Sequence, residues 1–493
     1  MKKILSLSLL LLISFSSFAQ ENTFWDGDFW NAKTSVQQVK DLIKKGNDPI
    51  HGNARGFDAT TYAILNHAPL ETVKYLLSLE GNDVNKPTHD ERTYLFWAAN
   101  KENLPLVEHL FKQGAKADVY DNRLYSPIMF TARGGITNPK LYDLLIKNGV
   151  EVNYANPKGV NVLLVLAGSV EELKDLNYFT KKGLSLEHTD QQGKNMIDYA
   201  AASGNQKLIK QLIKKGLSYK DTNKDGTNAL LMAAQPTRGE GNSLDFFKYL
   251  VDLKINPKQI DQEGKNLYHL LARNNKQQEV LDFFTDFNID INALDADKNT
   301  PLMYAASRNN LENVKWLGQR TKKINQQNAA GHTALSLAVA QNTSEVVAYL
   351  LDHKAKAHIK DAQGNNLAAL LVQGYRQRDA EDFHKKWEML EVAKVDFTAT
   401  QENGNTLFHY AADKENLALF KRVKTSGVNI NAQNNEGLSV LHKTALTAKD
   451  TKLMKALIAM GADKNLKTEF EESAYDLAQE NELLNTDEIM FLK

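Results

Sequence analysis

The sequence predicts an all-α solenoid of stacked helix-turn-helix units joined by short hairpin-like turns. Three observations predict it. A phrase recurs with a period close to 33 residues. Each copy opens on a turn residue, in most copies with Gly three positions later. Each copy then carries small residues followed by Val, Ile and Leu at helical spacing. "NTPLMYAASRNNLENVKWL", residues 299–317, is one copy, and "HTALSLAVAQNTSEVVAYLL", residues 332–351, belongs to the next.

The first segment stands apart from the repeats. Lys2 and Lys3 form a basic start, Ile4 to Phe18 an apolar run, and Ser17-Phe18-Ala19 a small-residue cleavage site. This reads as a signal peptide over 1–19. The run is 15 residues long with five serines, short of the roughly 20 apolar residues a spanning helix needs. The mature chain is therefore expected in the periplasm or outside the cell, without membrane insertion. The chain has no cysteine, which excludes a lipid-modified signal, disulfides, zinc-thiolate sites and thiol catalysis.

Aligned on the opening turn residue, copies start near Arg55, Thr88, Asp121, Asn156, Asp190, Asn223, Asp261, Asp295, Asn328, Asp361, Gln401, Asn434 and Thr468. Within a copy, the opening Asp or Asn and the later Gly suit a tight turn, where Gly reaches positive φ without a steric penalty. Thr300 is placed to cap the first helix and Pro301 to start it; Asn195, Asn228 and Asn266 hold the capping position elsewhere. Leu302 and Ala305-Ala306 are predicted to face the neighbouring unit. Ile209, Leu212 and Ile213, or Val347, Leu350 and Leu351, line the second helix. Gly216, Gly427 and Gly461 end it. One helix pair cannot hide its own apolar face, so stacking creates the core.

The period, with Thr-Pro-Leu and Ala-Ala at fixed offsets, resembles the ankyrin repeat over roughly residues 20–493. Exported bacterial ankyrin-repeat proteins are similar in general form. The predicted organisation is a signal peptide at 1–19 and degenerate N-terminal units at 20–87. An array follows at 88–467, with expanded units at 223–260 and 361–400, and a C-terminal capping repeat at 468–493. The extra residues fall in "PTRGEGNS", 236–243, and within 374–389, as loop insertions or a lengthened helix. Glu469, Glu471 and Glu472 are expected ahead of the last helix, where its dipole favours negative charge.

Composition bounds the function. Cleavage leaves 58 basic against 60 acidic residues, a formal charge of −2. No basic excess points to nucleic acid or an anionic membrane. "DTNKDGTNALLM", 221–232, begins like a calcium loop, but Met232 stands where a bidentate Glu belongs, and the same residues suit the repeat's turn. His269, His409 and His442 occupy a His position in the first helix, which suits bonding to backbone rather than to metal. "RGEGNS", 238–243, lacks the third Gly of a dinucleotide loop, and no phosphate-loop or nucleophile-elbow motif occurs. The expectation is no enzyme activity, no cofactor and no metal.

By resemblance to ankyrin arrays, side chains at the hairpin tip and the end of the first helix line a concave face that binds a protein partner. Here these are His89, Asp90, Arg92, Arg123, Tyr125, Arg133, Lys194, Lys265, Arg273, Arg308, His332 and Lys414. The expected molecule is a monomeric protein-binding scaffold. The alternatives are an enzyme or calcium-dependent module with its site in an expanded repeat, and a secreted effector that binds another organism's proteins. An aromatic recurs before the Ala pair or its equivalent (Trp97, Phe130, Tyr199, Tyr304 and Tyr410), where packing between repeats competes with partner contact.

Overall fold

The computed structural model describes residues 22–235, 241–274, 278–308 and 311–493. The signal-peptide segment 1–19 and most of the insertion at 236–243 lie outside the described residues. Local contacts divide the chain into two compact units. One holds residues up to 199 together with 210–212; the other holds 200–209 and 213–493. The helices Met196–Ala202 and Gln206–Lys214 are shared between them.

The first unit begins with two 3-10 turns, Thr23–Trp25 and Gly27–Phe29, where later repeats have a first helix. Its first α-helix is Val36–Lys44, started by a reciprocal cap between Ser35 and Gln38. Helix pairs follow at Ala59–Leu65 with Leu70–Leu77, Tyr94–Asn100 with Leu104–Lys112, and Pro127–Arg133 with Pro139–Lys147. Val162–Ala167 pairs with the short Asn177–Lys181. In the second unit the pairs run from Ala229–Ala234 with Leu244–Asp252 to Val440–Thr447 with Lys452–Ala459. Ala474–Glu480 and the 3-10 segment Thr486–Leu492 close the chain. No helix among the described residues is long and apolar enough to cross a membrane. Antiparallel pairing is confined to the isolated bridges Ala155–Asn161 and Lys467–Ser473 among those residues.

The opening residue of each repeat builds its turn by local hydrogen bonds. Asp121 Oδ1 accepts from the amides of Arg123 and Tyr125, both at 2.9 Å; Asn328 does so from Ala330 at 3.1 Å and His332 at 2.8 Å. The same pattern centres on Asn53 in the first complete repeat, through Arg55 and Phe57. The repeat start therefore lies at Asn53, two residues before the Arg55 read from the sequence, because Arg55 has no side-chain acceptor to form the turn.

The position three residues on adopts a left-handed backbone, with Gly331 at φ 78° and Gly226 at 75°. Glu91, Leu124, Lys298 and Glu471 fill it at φ 58–63° without being glycine. Turns of successive repeats are tied by a backbone ladder. The Ala296 amide donates to the Glu263 carbonyl, Ala329 to Asp297 and Ala362 to Ala330, at 2.7–3.0 Å.

Helix starts follow the predicted capping. Thr300 Oγ1 accepts from the Met303 amide at 3.2 Å with Pro301 at the first position, and Asn195, Asn228 and Asn266 cap their helices. Leu302, Leu335, Ala305 and Ala306 are buried, as are Ile209, Leu212, Val347 and Leu350; Ile213 and Leu351 are half-buried. Gly216, Gly427 and Gly461 end second helices at positive φ.

The acidic residues of the last repeat take places of two kinds. Glu471 sits at the left-handed turn position and Glu472 accepts from the Thr468 hydroxyl at 3.3 Å, so both belong to the last hairpin. The acid in the first turn of the last helix is Asp476, which accepts from the Ser473 amide at 2.8 Å. In the expanded repeat at 361–400, the extra residues become the 3-10 turn Gln377–Asp379 and a 13-residue second helix, Ala380–Val392.

Candidate protein-interaction surface

The predicted contact residues fall into three structural positions. His89, Asp90 and Arg123 sit at hairpin tips. Arg92, Tyr125, Lys194, Lys265 and His332 lie four residues after a repeat's opening residue. Arg133, Arg273, Arg308 and Lys414 stand at or just beyond the end of a first helix.

The second position points sideways, toward the next repeat. Arg92 shows this most fully. It is buried, its Nε and Nη2 donate to Asp121 Oδ2 at 3.0 and 2.7 Å, and its guanidinium lies 4.2 Å from the Phe130 ring centroid. Asn299 and Asn405 hold the equivalent place and accept from Asn328 and Asn434 at 2.8 and 3.0 Å. Lys265 lies over the Tyr304 ring of the following repeat and pairs with Glu263. Arg92 is therefore withdrawn from the contact surface, because its donors and its aromatic neighbours are inside the stack.

The tip residues are also partly committed. His89 Nδ1 lies 2.8 Å from the Arg55 carbonyl and its ring stacks on Phe57 at 4.3 Å. Asp90 pairs with Arg92 at 3.0 Å and accepts from Asn122 at 3.1 Å. Arg123 is exposed.

The aromatic position is structural. Tyr304 donates to Asp295 at 2.7 Å, Tyr199 to Asp190 at 3.0 Å and Trp97 to Thr88 at 2.8 Å, each closing its own turn; Tyr410 instead reaches Asn365 of the preceding repeat at 2.8 Å. The three histidines are structural as well. His409 Nδ1 accepts from the Thr406 amide at 3.0 Å, and Nε2 donates to the Leu438 carbonyl of the next repeat at 2.8 Å. His269 and His442 repeat the arrangement with Asn299 and Leu466. An amide aimed at Nδ1 fixes the neutral tautomer, and burial holds all three below the ordinary histidine range.

The residues of 221–232 form the repeat's turn and helix start. Asn223 accepts from the amides of Asp225 and Thr227, and Met232 is buried in the helix Ala229–Ala234. No cluster of three His, Asp or Glu side chains suited to a metal occurs among the described residues.

The helix-end position is different. Arg133 and Arg308 are exposed and Arg273 half-buried, and none has an ion-pair partner among the described residues. Burial and the nearby Arg308 charge hold the Arg273 guanidinium below its ordinary value, so the fold brings two like charges together. Arg308 lines a cavity of about 540 Å³ in the second unit, between the ends of the first helices Pro301–Ala306, Ala334–Gln341 and Leu367–Gln373. The expanded repeat supplies its far wall through Tyr375, Arg376, Arg378, Asp379, Asp382, Phe383 and Lys386.

Lys386 explains why that wall stands. It is buried, donates to the Asn342 and Val339 carbonyls at 2.7 and 3.3 Å, and pairs with Asp382 at 3.3 Å. The long helix thereby caps the end of the first helix of the preceding repeat. Burial raises the Asp382 carboxyl, but Ser344 and the Lys386 ammonium outweigh it and leave it below the usual carboxylate range. Sequence reasoning placed polar side chains near 374–389 only as an alternative, and it missed Arg376, Lys386 and Asp382. The excess length of that repeat was the available signal.

The sequence matches a known family. A family model described as ankyrin repeats (3 copies) matches residues 31–122, 164–261, 231–328 and 268–361, more than half of the chain. The chain belongs to the ankyrin-repeat family, whose repeats generally act as protein-binding scaffolds. Among solved structures, it is similar to the human ASB11 ankyrin repeat domain. Identity is 17%, coverage is 46% of this chain and 98% of that one, and the TM-score is 0.40. No curated protein matches it.

Proposed function

We propose that this chain is a non-catalytic scaffold that binds a protein partner, exported to the periplasm or beyond after cleavage near Ala19. The observation that carries the binding reading is a division of labour among polar side chains. Opening residues, their aromatic partners, the histidines and Arg92 are consumed in building turns and in joining one repeat to the next, whereas Arg273 and Arg308 have no such task. Arginine is the charged residue most often found carrying interface energy, and a preordered surface loses little entropy on binding. Export rests on the basic start, apolar run and small-residue site at 1–19.

The test is saturable capture by the folded, immobilised chain from envelope and culture-supernatant fractions, with the urea-unfolded chain as control. Fractionation of cells carrying the full sequence, with and without residues 1–19, tests export. The reading predicts capture by the folded chain alone and export only with the signal. Capture that survives unfolding, or retention of the full chain in the cytoplasm, contradicts it.

A further inference from the structure

The expanded repeat does more than lengthen the stack, and its cavity has an unbalanced charge. Four cations line it, Arg308, Arg376, Arg378 and Lys386, against three carboxylates, Glu345, Asp379 and Asp382. Two are answered from within, since Lys386 pairs with Asp382 at 3.3 Å and Arg378 with Asp379 at 3.5 Å. Arg308 and Arg376 are both exposed and have no ion-pair partner among the described residues. They come from repeats whose openings are Asp295 and Asp361, so they face the cavity from its two sides, with the Ala334–Gln341 helix end between. Tyr375, packed edge-on against Phe383 at 4.9 Å, adds a hydroxyl to the lining. Arg273 holds the same helix-end position one repeat further back, but it lines a separate recess that it shares with Asp225, Asp261 and Glu263.

We propose that this cavity receives an extended acidic segment of the protein partner, with Arg308 and Arg376 each engaging a side-chain carboxylate. The inference rests on the scaffold reading and names the chemistry of its partner. Arg308 and Arg376, without ion-pair partners among the described residues, leave cations in excess of carboxylates in a half-enclosed polar recess and give it a positive potential. A planar guanidinium binds a carboxylate through two parallel hydrogen bonds, which gives direction as well as attraction. A polypeptide fits better than a small anion because the two unpaired arginines stand on repeats separated by a third. The whole chain is close to neutral, so the attraction is a property of this place and not of the protein at large.

Fluorescence anisotropy on the full chain tests this, with a labelled dodecapeptide of alternating Glu and Ser and a second in which every Glu is Gln. The Glu peptide should bind saturably, at least about tenfold more tightly than the Gln peptide, and weaken as salt is raised. Arg308→Gln with Arg376→Gln should weaken it roughly tenfold or more, while Lys147→Gln, on an exposed helix end of the first unit, leaves it unchanged. Circular dichroism melting of each variant confirms folding.

Equal binding of the two peptides overturns the inference, as does a double variant that behaves like Lys147→Gln. Displacement of the Glu peptide by duplex DNA more readily than by its own unlabelled form also overturns it. A natural partner bound equally well by the wild type and the double variant overturns the acidic-segment inference alone and leaves the scaffold reading standing. Peptide binding with no protein captured has the opposite meaning.

Discussion

Arg92 and Asp121, 29 residues apart, form a buried ion pair across two repeats, with both guanidinium donors on one carboxylate oxygen at 3.0 and 2.7 Å. The other oxygen of Asp121 is occupied by its own turn amides. One side chain thus fixes a turn and couples it to the neighbouring repeat. Removing a partner from a buried pair leaves a charge without solvent or counter-charge. Arg92→Met should cost about 3–5 kcal/mol of stability in urea denaturation. Arg92→Met with Asp121→Asn should recover part of that, and Arg123→Ala, two residues beyond Asp121 but exposed, should stay within about 0.5 kcal/mol.

The left-handed turn position yields predictions of opposite sign. Leu124 at φ 58° and Lys298 at φ 62° hold a backbone that costs a side-chain-bearing residue about 1 kcal/mol or more. Both are exposed, so replacement sacrifices little packing. Leu124→Gly and Lys298→Gly should each stabilise by about 1 kcal/mol, whereas Gly331→Ala should destabilise, since its Cβ would collide with the Ala362 amide. Thermal melting of the three variants checks the signs.

Stacking itself is tested at Leu302 and Leu335, each buried against a neighbouring repeat. Truncation of either to Ala should cost about 2–5 kcal/mol, because the cavity left between packed helices collapses only in part. A cost below about 1 kcal/mol, measured by denaturant titration, would mean that these leucines are not the core.

The histidines make stability depend on pH. Burial lowers His269, His409 and His442 below their unfolded value, so the folded state binds protons less readily than the unfolded chain. Their contribution is complete above about pH 6.5 and is lost as pH falls from there toward their folded values. Asp198, pushed up by burial to about 6, has the reverse sign. Its stabilising effect is present below its unfolded value and lost as pH rises through about 6. Replacing the three histidines by Gln should flatten the loss of stability between pH 6.5 and 5, and Asp198→Asn should raise stability near pH 7. Urea midpoints across that range read both.

What was legible in the sequence was what each residue does within its own repeat. Asn and Asp at the opening, Gly three residues on, Thr300 with Pro301, and the C-terminal glycines all act over a few residues, so residue type and spacing suffice. Arg92 was placed on the binding face for a physical reason. It belongs to a hairpin turn of the kind whose tip is exposed at Arg123, and only the three-dimensional stack reveals that its own place in the turn faces the next repeat. Lys386 was invisible for the same cause, since its acceptors lie 44 and 47 residues back. Asn53 was missed because its repeat lacks the Thr-Pro and Ala-Ala markers that fix the register elsewhere.

The central claim is that Arg273 and Arg308 serve recognition rather than stability. The most direct test measures partner capture and thermal melting on the same variant, Arg273→Glu with Arg308→Glu. The account predicts a melting temperature within about 2 °C of the wild type and capture weakened at least tenfold. A marked fall in melting temperature with capture preserved would contradict it.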